Sequence, residues 1–179
     1  MIRRHHTNTC IQQIKPPTAA PALPMLCLII LSFTGSAYAQ ETVQHGGMRL
    51  ILPDQPINDS IDLGDGTKQH RLIMHRPNGS IIVWHQDANP QVPAKAGLQK
   101  AQDTIVKMAG GKVLSESQDK VDGQPARTFT VTMPSQGGEF RVGYYYANGK
   151  NYQVMSVGTP EFTRSGSVNK MFESVRFTK

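Results

Sequence analysis

Two histidines and an aspartate flanking one expected hairpin are the residues whose types best suit chemistry. His70 precedes the turn signal Asn78-Gly79, and His85 and Asp87 follow it. If Asn78-Gly79 forms a two-residue turn, His70 pairs with Asp87. The side chains of His70, His85 and Asp87 then share one face of the sheet. Two imidazoles and a carboxylate suit zinc or another divalent transition metal. The spacing predicts a metal site at these three residues. The alternative is that they are ordinary exposed polar residues at strand ends.

A pair of tyrosines is the second candidate feature. Tyr145 and Tyr152 flank the turn signal Asn148-Gly149, and a two-residue turn there places them opposite each other. Such a cross-strand pair contributes roughly 0.2–1 kcal/mol to packing. Tyrosines are also enriched at interfaces, so the pair could instead form a partner surface. Both interpretations stay open at the level of sequence.

Signals for catalysis are weak. The segment Val154–Gly158 lacks the first glycine of a G-x-S-x-G nucleophile elbow. Gly110-Gly111 and Gly137-Gly138 fit a helix stop and a turn better than a phosphate-binding loop. Both cysteines, Cys10 and Cys27, lie before residue 40, so the region after it has no thiol nucleophile and no disulfide. We therefore expect no catalytic residue and no cofactor beyond a possible divalent metal.

Three hairpins are expected to position these residues. The dipeptides Asn78-Gly79, Asp122-Gly123 and Asn148-Gly149 each separate two strand-like runs, and such dipeptides favour two-residue turns with positive φ. The predicted strand pairs are 69–75 with 80–86, 112–121 with 124–133, and 139–147 with 150–158, and a seventh strand is expected at 48–52.

The middle hairpin has the clearest alternation. Threonines and apolar residues alternate over residues 128–133, which assigns them to opposite faces of a strand. The register places Thr128 opposite Ser117 on a hydroxyl-rich face. The other face is expected to bury Leu114, Phe129 and Val131 in a core.

Two segments have helical periodicity. Residues 93–109 place apolar side chains at spacings of three and four, with Pro93 at the start and Gly110-Gly111 at the end. A second stripe covers 168–175, with Ser165 or Ser167 as its cap. Prolines, glycines and aspartates dominate 41–66, for which we predict a solvated loop. The fold class is α+β, with a single antiparallel sheet of six or seven strands flanked by two main helices.

The first 39 residues have the order of a secretory signal peptide. Arg3, Arg4 and Lys15 precede an apolar run at 25–33, and Ala37 and Ala39 occupy the positions expected before a cleavage site. The run is too short to span a bilayer, which needs about 20 residues. We expect cleavage after Ala39, a single domain at 40–179 with no membrane span, and a periplasmic or extracellular location.

Charge argues against a nucleic-acid partner. The chain has 19 Lys+Arg and 13 Asp+Glu. The expected leader carries three of the basic residues and no acidic ones, so the remainder has a net charge of only +3. Its basic residues are scattered singly, whereas a nucleic-acid surface needs clusters. The expected partner is an unidentified protein or small ligand in the cell envelope.

The segment Val121–Phe129 (VDGQPARTF) resembles a segment of small secreted bacterial domains with the PsbP-like fold. That fold includes the extrinsic photosystem II subunit and the lipoprotein DcrB. The stretch Arg141–Gly158 and the ending Phe172–Phe177 are similar too. The resemblance implies an antiparallel sheet flanked by helices and a non-enzymatic accessory or binding role. It carries over no ligand set, because no matching acidic cluster is present.

Three functions follow from the sequence, in order of preference. The first is an exported non-enzymatic binding or accessory protein of the cell envelope, which uses a sheet face or a sheet edge to engage its partner. The second is a divalent-metal-binding protein that uses His70, His85 and Asp87. The third is a hydrolase, although no spacing singles out its catalytic residues.

Overall fold

The computed structural model describes residues 40–178, which form ten strands and three helices. In chain order the elements are β1 (Glu41–His45), β2 (Met48–Leu52), β3 (Ile57–Asp62), β4 (Lys68–Arg76), β5 (Gly79–Asp87), α1 (Ala94–Ala109), β6 (Val113–Val121), β7 (Gln124–Met133), β8 (Gly138–Ala147), β9 (Lys150–Gly158), α2 (Pro160–Thr163), α3 (Gly166–Glu173) and β10 (Arg176–Phe177). The expected signal peptide lies outside the described residues. No helix within 40–178 is long and apolar enough to cross a membrane.

The strands form two antiparallel sheets. The large sheet has the order β3-β4-β5-β9-β8-β7-β6, and a small sheet has the order β1-β2-β10. The predicted α+β class with antiparallel strands is therefore confirmed. The small sheet was not predicted. It joins the first and last strands of the described chain on either side of β2.

Two of the three predicted hairpin turns are confirmed. Asp122 and Asn148 have φ of 51° and 49°, and the glycine after each also has positive φ. These are the conformations that two-residue hairpin turns with the twist of the strands require. The predicted pairing of Ser117 with Thr128 is present in β6 and β7.

The register predicted for the first hairpin is wrong by two residues. Its turn residues are Pro77 and Asn78, and Arg76 pairs with Gly79. Proline fixes the φ that the first corner of a common turn needs, so Pro77 takes the position expected for Asn78. Gly79 is not a turn residue but lets the Phe162 ring pack against the main chain, because a Cβ at this position would lie 2.3 Å from that ring.

The strand predicted at 48–52 is confirmed as β2, but β1 and β3 replace much of the loop predicted for the rest of 41–66. β1 pairs with β2, and β3 pairs with β4 along its whole length. β1 and β3 are outer strands of their sheets and carry few apolar residues. The alternation of apolar and polar residues therefore does not identify them as strands. Their extended conformation is stabilised by hydrogen bonds to β2 and β4, whose apolar residues are more numerous.

The large sheet carries a hydrophobic core on each face. The small sheet, α2 and α3 cover one face, where Leu50, Val83 and Val154 are fully buried. Helix α1 covers the other, over Phe129, Val131 and Val142. The burial of Phe129 and Val131 is as predicted. Leu114 was expected beside them, but it is 51% exposed because a register irregularity after Val113 and its place on an outer strand remove it from the core.

Candidate functional site

Three imidazoles meet where the small sheet packs on the large one. The two-residue shift in the first hairpin keeps side chains on their faces and places His70 directly opposite His85. Their rings stack with centroids 5.0 Å apart. His45, at the end of β1, meets His85 edge-on at 4.5 Å. The sequence missed His45, although His45-Gly46-Gly47 before the apolar run of β2 is itself a hairpin signal.

Gly46 and Tyr152 hold this histidine cluster (His45, His70 and His85) together. The main-chain carbonyl of Gly46 accepts a hydrogen bond from the Tyr152 hydroxyl. Gly46 has a φ of 64°, and a Cβ there would lie 2.4 Å from the His85 ring. Only glycine allows this turn to rest on the imidazole. His45 Nε2 lies 3.0 Å from the main-chain oxygen of His70, so this nitrogen donates the hydrogen bond.

Burial keeps two of these imidazoles neutral. It lowers the pKa of His85 from 6.5 to about 4, and the neighbouring His45, His70 and Lys150 act in the same direction, with Asp87 opposing. Burial also lowers the pKa of His45. His85 Nδ1 is buried and has no hydrogen-bond partner among the described residues. His45 and His85 are thus uncharged at neutral pH, the protonation state in which histidine binds metals.

Asp87 is hydrogen-bonded to a lysine and not to the imidazoles that it was predicted to join. It pairs with Lys150 on the neighbouring strand, and its carboxylate accepts a hydrogen bond from the ammonium group. That hydrogen bond lowers the pKa of Asp87. Within residues 40–178, no group of three or more His, Asp or Glu residues is arranged to hold a metal ion. The structure therefore brings together two of the three predicted ligands, and metal binding stays a prediction.

A polar cleft of about 610 Å³ opens over the histidine cluster. Its far wall is formed by Asp59 and Arg71, which make an ion pair across β3 and β4. The hydrogen bond from Arg71 lowers the pKa of Asp59. The cleft thus combines neutral imidazoles with an internally compensated pair of charges.

Tyr145 and Tyr152 lie opposite each other as predicted, but they do not form a surface. They are 2% and 0% exposed. The ring of Phe177 packs 5.7 Å from Tyr145 and 5.2 Å from Tyr152. This burial corrects the partner-surface interpretation, because the last strand of the small sheet covers both rings and leaves no area for a partner.

The largest uncovered feature of the sheet is its β6 edge. Among the strands of residues 40–178, β6 pairs only with β7, and eight of its nine residues are exposed. In a two-residue hairpin the residues flanking the turn, here Val121 and Gln124, exchange both main-chain hydrogen bonds. Hydrogen-bonded and non-hydrogen-bonded pairs then alternate along the ladder. Glu116 and Gln118 fall in non-hydrogen-bonded pairs, so their main-chain N–H and C=O groups point away from β7. The outer strand at the other end, β3, is shorter, with six residues.

Comparisons with known proteins bear on the fold. No protein-family model and no curated protein sequence matches the chain. The solution structure of cyanobacterial PsbP from Synechocystis is similar, with a TM-score of 0.55 and 11% identity over 83% of this chain and 99% of that one. The chain has a PsbP-like fold. A Pseudomonas aeruginosa protein of unknown function matches at 11% identity and a TM-score of 0.38, over 69% of this chain and 85% of that one. A score that low carries no argument.

At 11% identity the similarity speaks to the fold alone. The function must therefore be argued from the surfaces of this chain.

Proposed function

We propose that this chain is an exported, non-enzymatic accessory protein of the cell envelope that binds an extended segment of another protein along β6. The observation that carries the proposal is the exposed edge of β6, which pairs on one side only. An edge with unpaired N–H and C=O groups is a template for an added strand. The sequence analysis left two modes open, a sheet face and a sheet edge, and the exposure of β6 supports the edge.

The main-chain groups of β6 supply part of the binding energy. Glu116 and Gln118 each direct one N–H and one C=O away from β7, which allows four hydrogen bonds to a partner strand. At about 0.5–1.5 kcal/mol each, these four bonds contribute about 2–6 kcal/mol. Association itself costs about 4 kcal/mol or more. The partner must therefore add side-chain contacts, so binding is sequence-selective.

Two substitutions at Gln118 distinguish the contribution of its main-chain N–H to binding from that of its side chain. Gln118→Pro removes an outward N–H, and proline is tolerated at such edge positions. Gln118→Ala removes the same side chain and keeps the N–H. With its amide oxygen facing Arg127, the Gln118 side chain accepts a hydrogen bond of 2.6 Å, and both variants lose this bond equally.

The experiment is quantitative co-purification from the envelope fraction of the producing cells. A specific protein is expected with the wild type and with Gln118→Ala, and its yield is expected to fall at least tenfold with Gln118→Pro. Equal recovery by Gln118→Pro and Gln118→Ala, with both folded by circular dichroism, would refute binding through β6. A homodimer of the purified chain that Gln118→Pro abolishes would contradict a partner of a different sequence.

Export is a separate part of the proposal and has its own test. It is supported by the composition of residues 1–39. We expect the mature chain in the periplasmic or extracellular fraction, with a mass that corresponds to a start at Gln40. A full-length chain in the cytoplasmic fraction would overturn it.

A second candidate function is binding of a divalent transition metal by the imidazoles of His70 and His85, with Asp87 released from Lys150. The supporting observations are the opposed rings and the buried, unpartnered Nδ1 of His85. Calorimetric titration with Zn²⁺ or Cu²⁺ is expected to show uptake that His70→Ala or His85→Ala abolishes. His75→Ala is the matched control, because His75 is exposed on the opposite face. No uptake by the wild type would end this candidate.

A further inference from the structure

A second pocket lies on the other face of the large sheet, under the first half of α1. It has a volume of about 460 Å³ and opens between α1 and the turn end of the β6–β7 hairpin. This volume is within the range of small-molecule sites. The pocket lies apart from the histidine cluster, and it contains none of the residues that the sequence analysis singled out as ligands.

The walls of this α1 pocket are mainly apolar. Leu98 contributes from α1 and is 8% exposed, and Pro125 and Ala126 contribute from β7. An apolar group placed there would be removed from water and would gain about 25 cal/mol for each Å² of its surface. The pocket therefore suits the hydrocarbon part of a ligand.

A buried guanidinium forms the inner side of the pocket. Arg127 is 5% exposed, and its Nη2 donates to Glu116 Oε2 at 3.2 Å. Its Nε is buried and has no hydrogen-bond partner within residues 40–178. A guanidinium has five N–H donors, and leaving a buried donor unpaired costs free energy. An acceptor at this position would relieve that cost.

The mouth of the pocket is cationic. Lys95 and Lys120 are exposed and line it, and neither ammonium group has an ion-pair or hydrogen-bond partner in the described chain. The acidic lining residue, Asp119, accepts a hydrogen bond of 2.7 Å from the main-chain N–H of Lys120. The first turn of α1 has no acidic residue and no side-chain cap, so its end of the helix dipole adds positive potential.

We infer that the α1 pocket binds a small amphipathic anion, with its apolar body against Leu98 and Pro125 and its carboxylate between Lys95 and Lys120. A free fatty acid and the C-terminus of an apolar peptide share this chemistry. Binding in the α1 pocket needs no outward main-chain group of β6, although the Gln118 side of β6 also lines the pocket.

The test is isothermal titration of the folded chain without its leader. The probe is decanoate below its micelle concentration. Two control probes each carry one feature of decanoate: decanol has the alkyl chain without the charge, and inorganic phosphate has negative charge without an alkyl chain. Decanoate is expected to bind at one site, decanol at least tenfold more weakly, and phosphate not at all. N-acetyl-Leu-Leu is the second source of the same chemistry, and whichever carboxylate binds more tightly identifies the source.

Charge reversal at the mouth has a matched control. Lys95→Glu places an anion beside the expected carboxylate, and Lys100→Glu makes the same charge change on α1 at an exposed position that does not line the pocket. We expect Lys95→Glu to weaken decanoate at least tenfold and Lys100→Glu to leave it within twofold. NMR shifts are expected at the amides of Leu98 and Arg127. No binding of decanoate, equal effects of the two variants, or shifts confined to another face would overturn the proposal.

Discussion

Acidification should loosen the contact between the two sheets through His85. The pKa of this imidazole is about 4 in the folded chain, against 6.5 as its ordinary value. The folded state therefore binds fewer protons than the unfolded state between these limits, and stability falls as pH falls. The contribution of neutral His85 to the free energy of unfolding is fully present above about pH 6.5. At about 1.4 kcal/mol per pKa unit, it amounts to at most about 2.5 kcal/mol lost by pH 4.5.

The aspartates beside the cluster titrate below this window. Hydrogen bonds from Arg71 and Lys150 lower the pKa values of Asp59 and Asp87 below the ordinary aspartate range, so these carboxylates titrate below it. His45, whose pKa burial also lowers, adds a change of the same sign. The groups that face His85 are thus the other two imidazoles, Asp87 and Lys150, all of which belong to the same contact.

The assay is urea unfolding at a series of pH values, followed by the fluorescence of Trp84. The free energy of unfolding is expected to fall between pH 6.5 and 4.5 in the wild type, and His85→Gln should flatten most of that slope. His75→Gln is the control, because that ring is exposed and bonded only to Ser80. An unchanged slope in His85→Gln would show that the burial of this imidazole does not govern the response.

Two further substitutions test the packing. Gly46→Ala should lower the free energy of unfolding by about 1–3 kcal/mol, because it adds a clash with His85 to a strained φ. Gly64→Ala, which has positive φ but open space, should cost clearly less, and equal costs in urea titrations would contradict the close approach. Arg164→Ala should lower the free energy of unfolding, because it leaves the Glu139 carboxylate, 2% exposed, without its ion pair. A loss below about 0.5 kcal/mol in thermal unfolding would show that the hydrogen bond from Thr163 suffices.

The sequence predicted those parts of the fold that depend on local rules. Asp122-Gly123 set its hairpin register correctly because two successive residues there adopt positive φ. Pro77 shifted the other register, since one proline outweighs the Asn-Gly signal beside it. β3 could not be predicted from its own residues because its pairing partner β4 supplies its order.

The candidate site depends on contacts between distant parts of the chain. His70 and His85 share one face because sheet side chains alternate with period two, which survives a shift of two residues. His45 joins them only through the packing of one sheet on the other, and no local spacing encodes that contact. The surface role of Tyr145 and Tyr152 failed for the same reason, since Phe177 covers them from the far end of the chain.

The placement of β10 sets an order of assembly. Its two residues, Arg176 and Phe177, pair with β2, and the Phe177 main-chain N–H donates to Asp122 Oδ2 at 2.8 Å. The ring of Phe177 therefore covers the two tyrosines only after synthesis has passed residue 177. A chain shortened before Phe177 leaves Tyr145 and Tyr152 without this cover, so their burial depends on a residue that is distant in sequence.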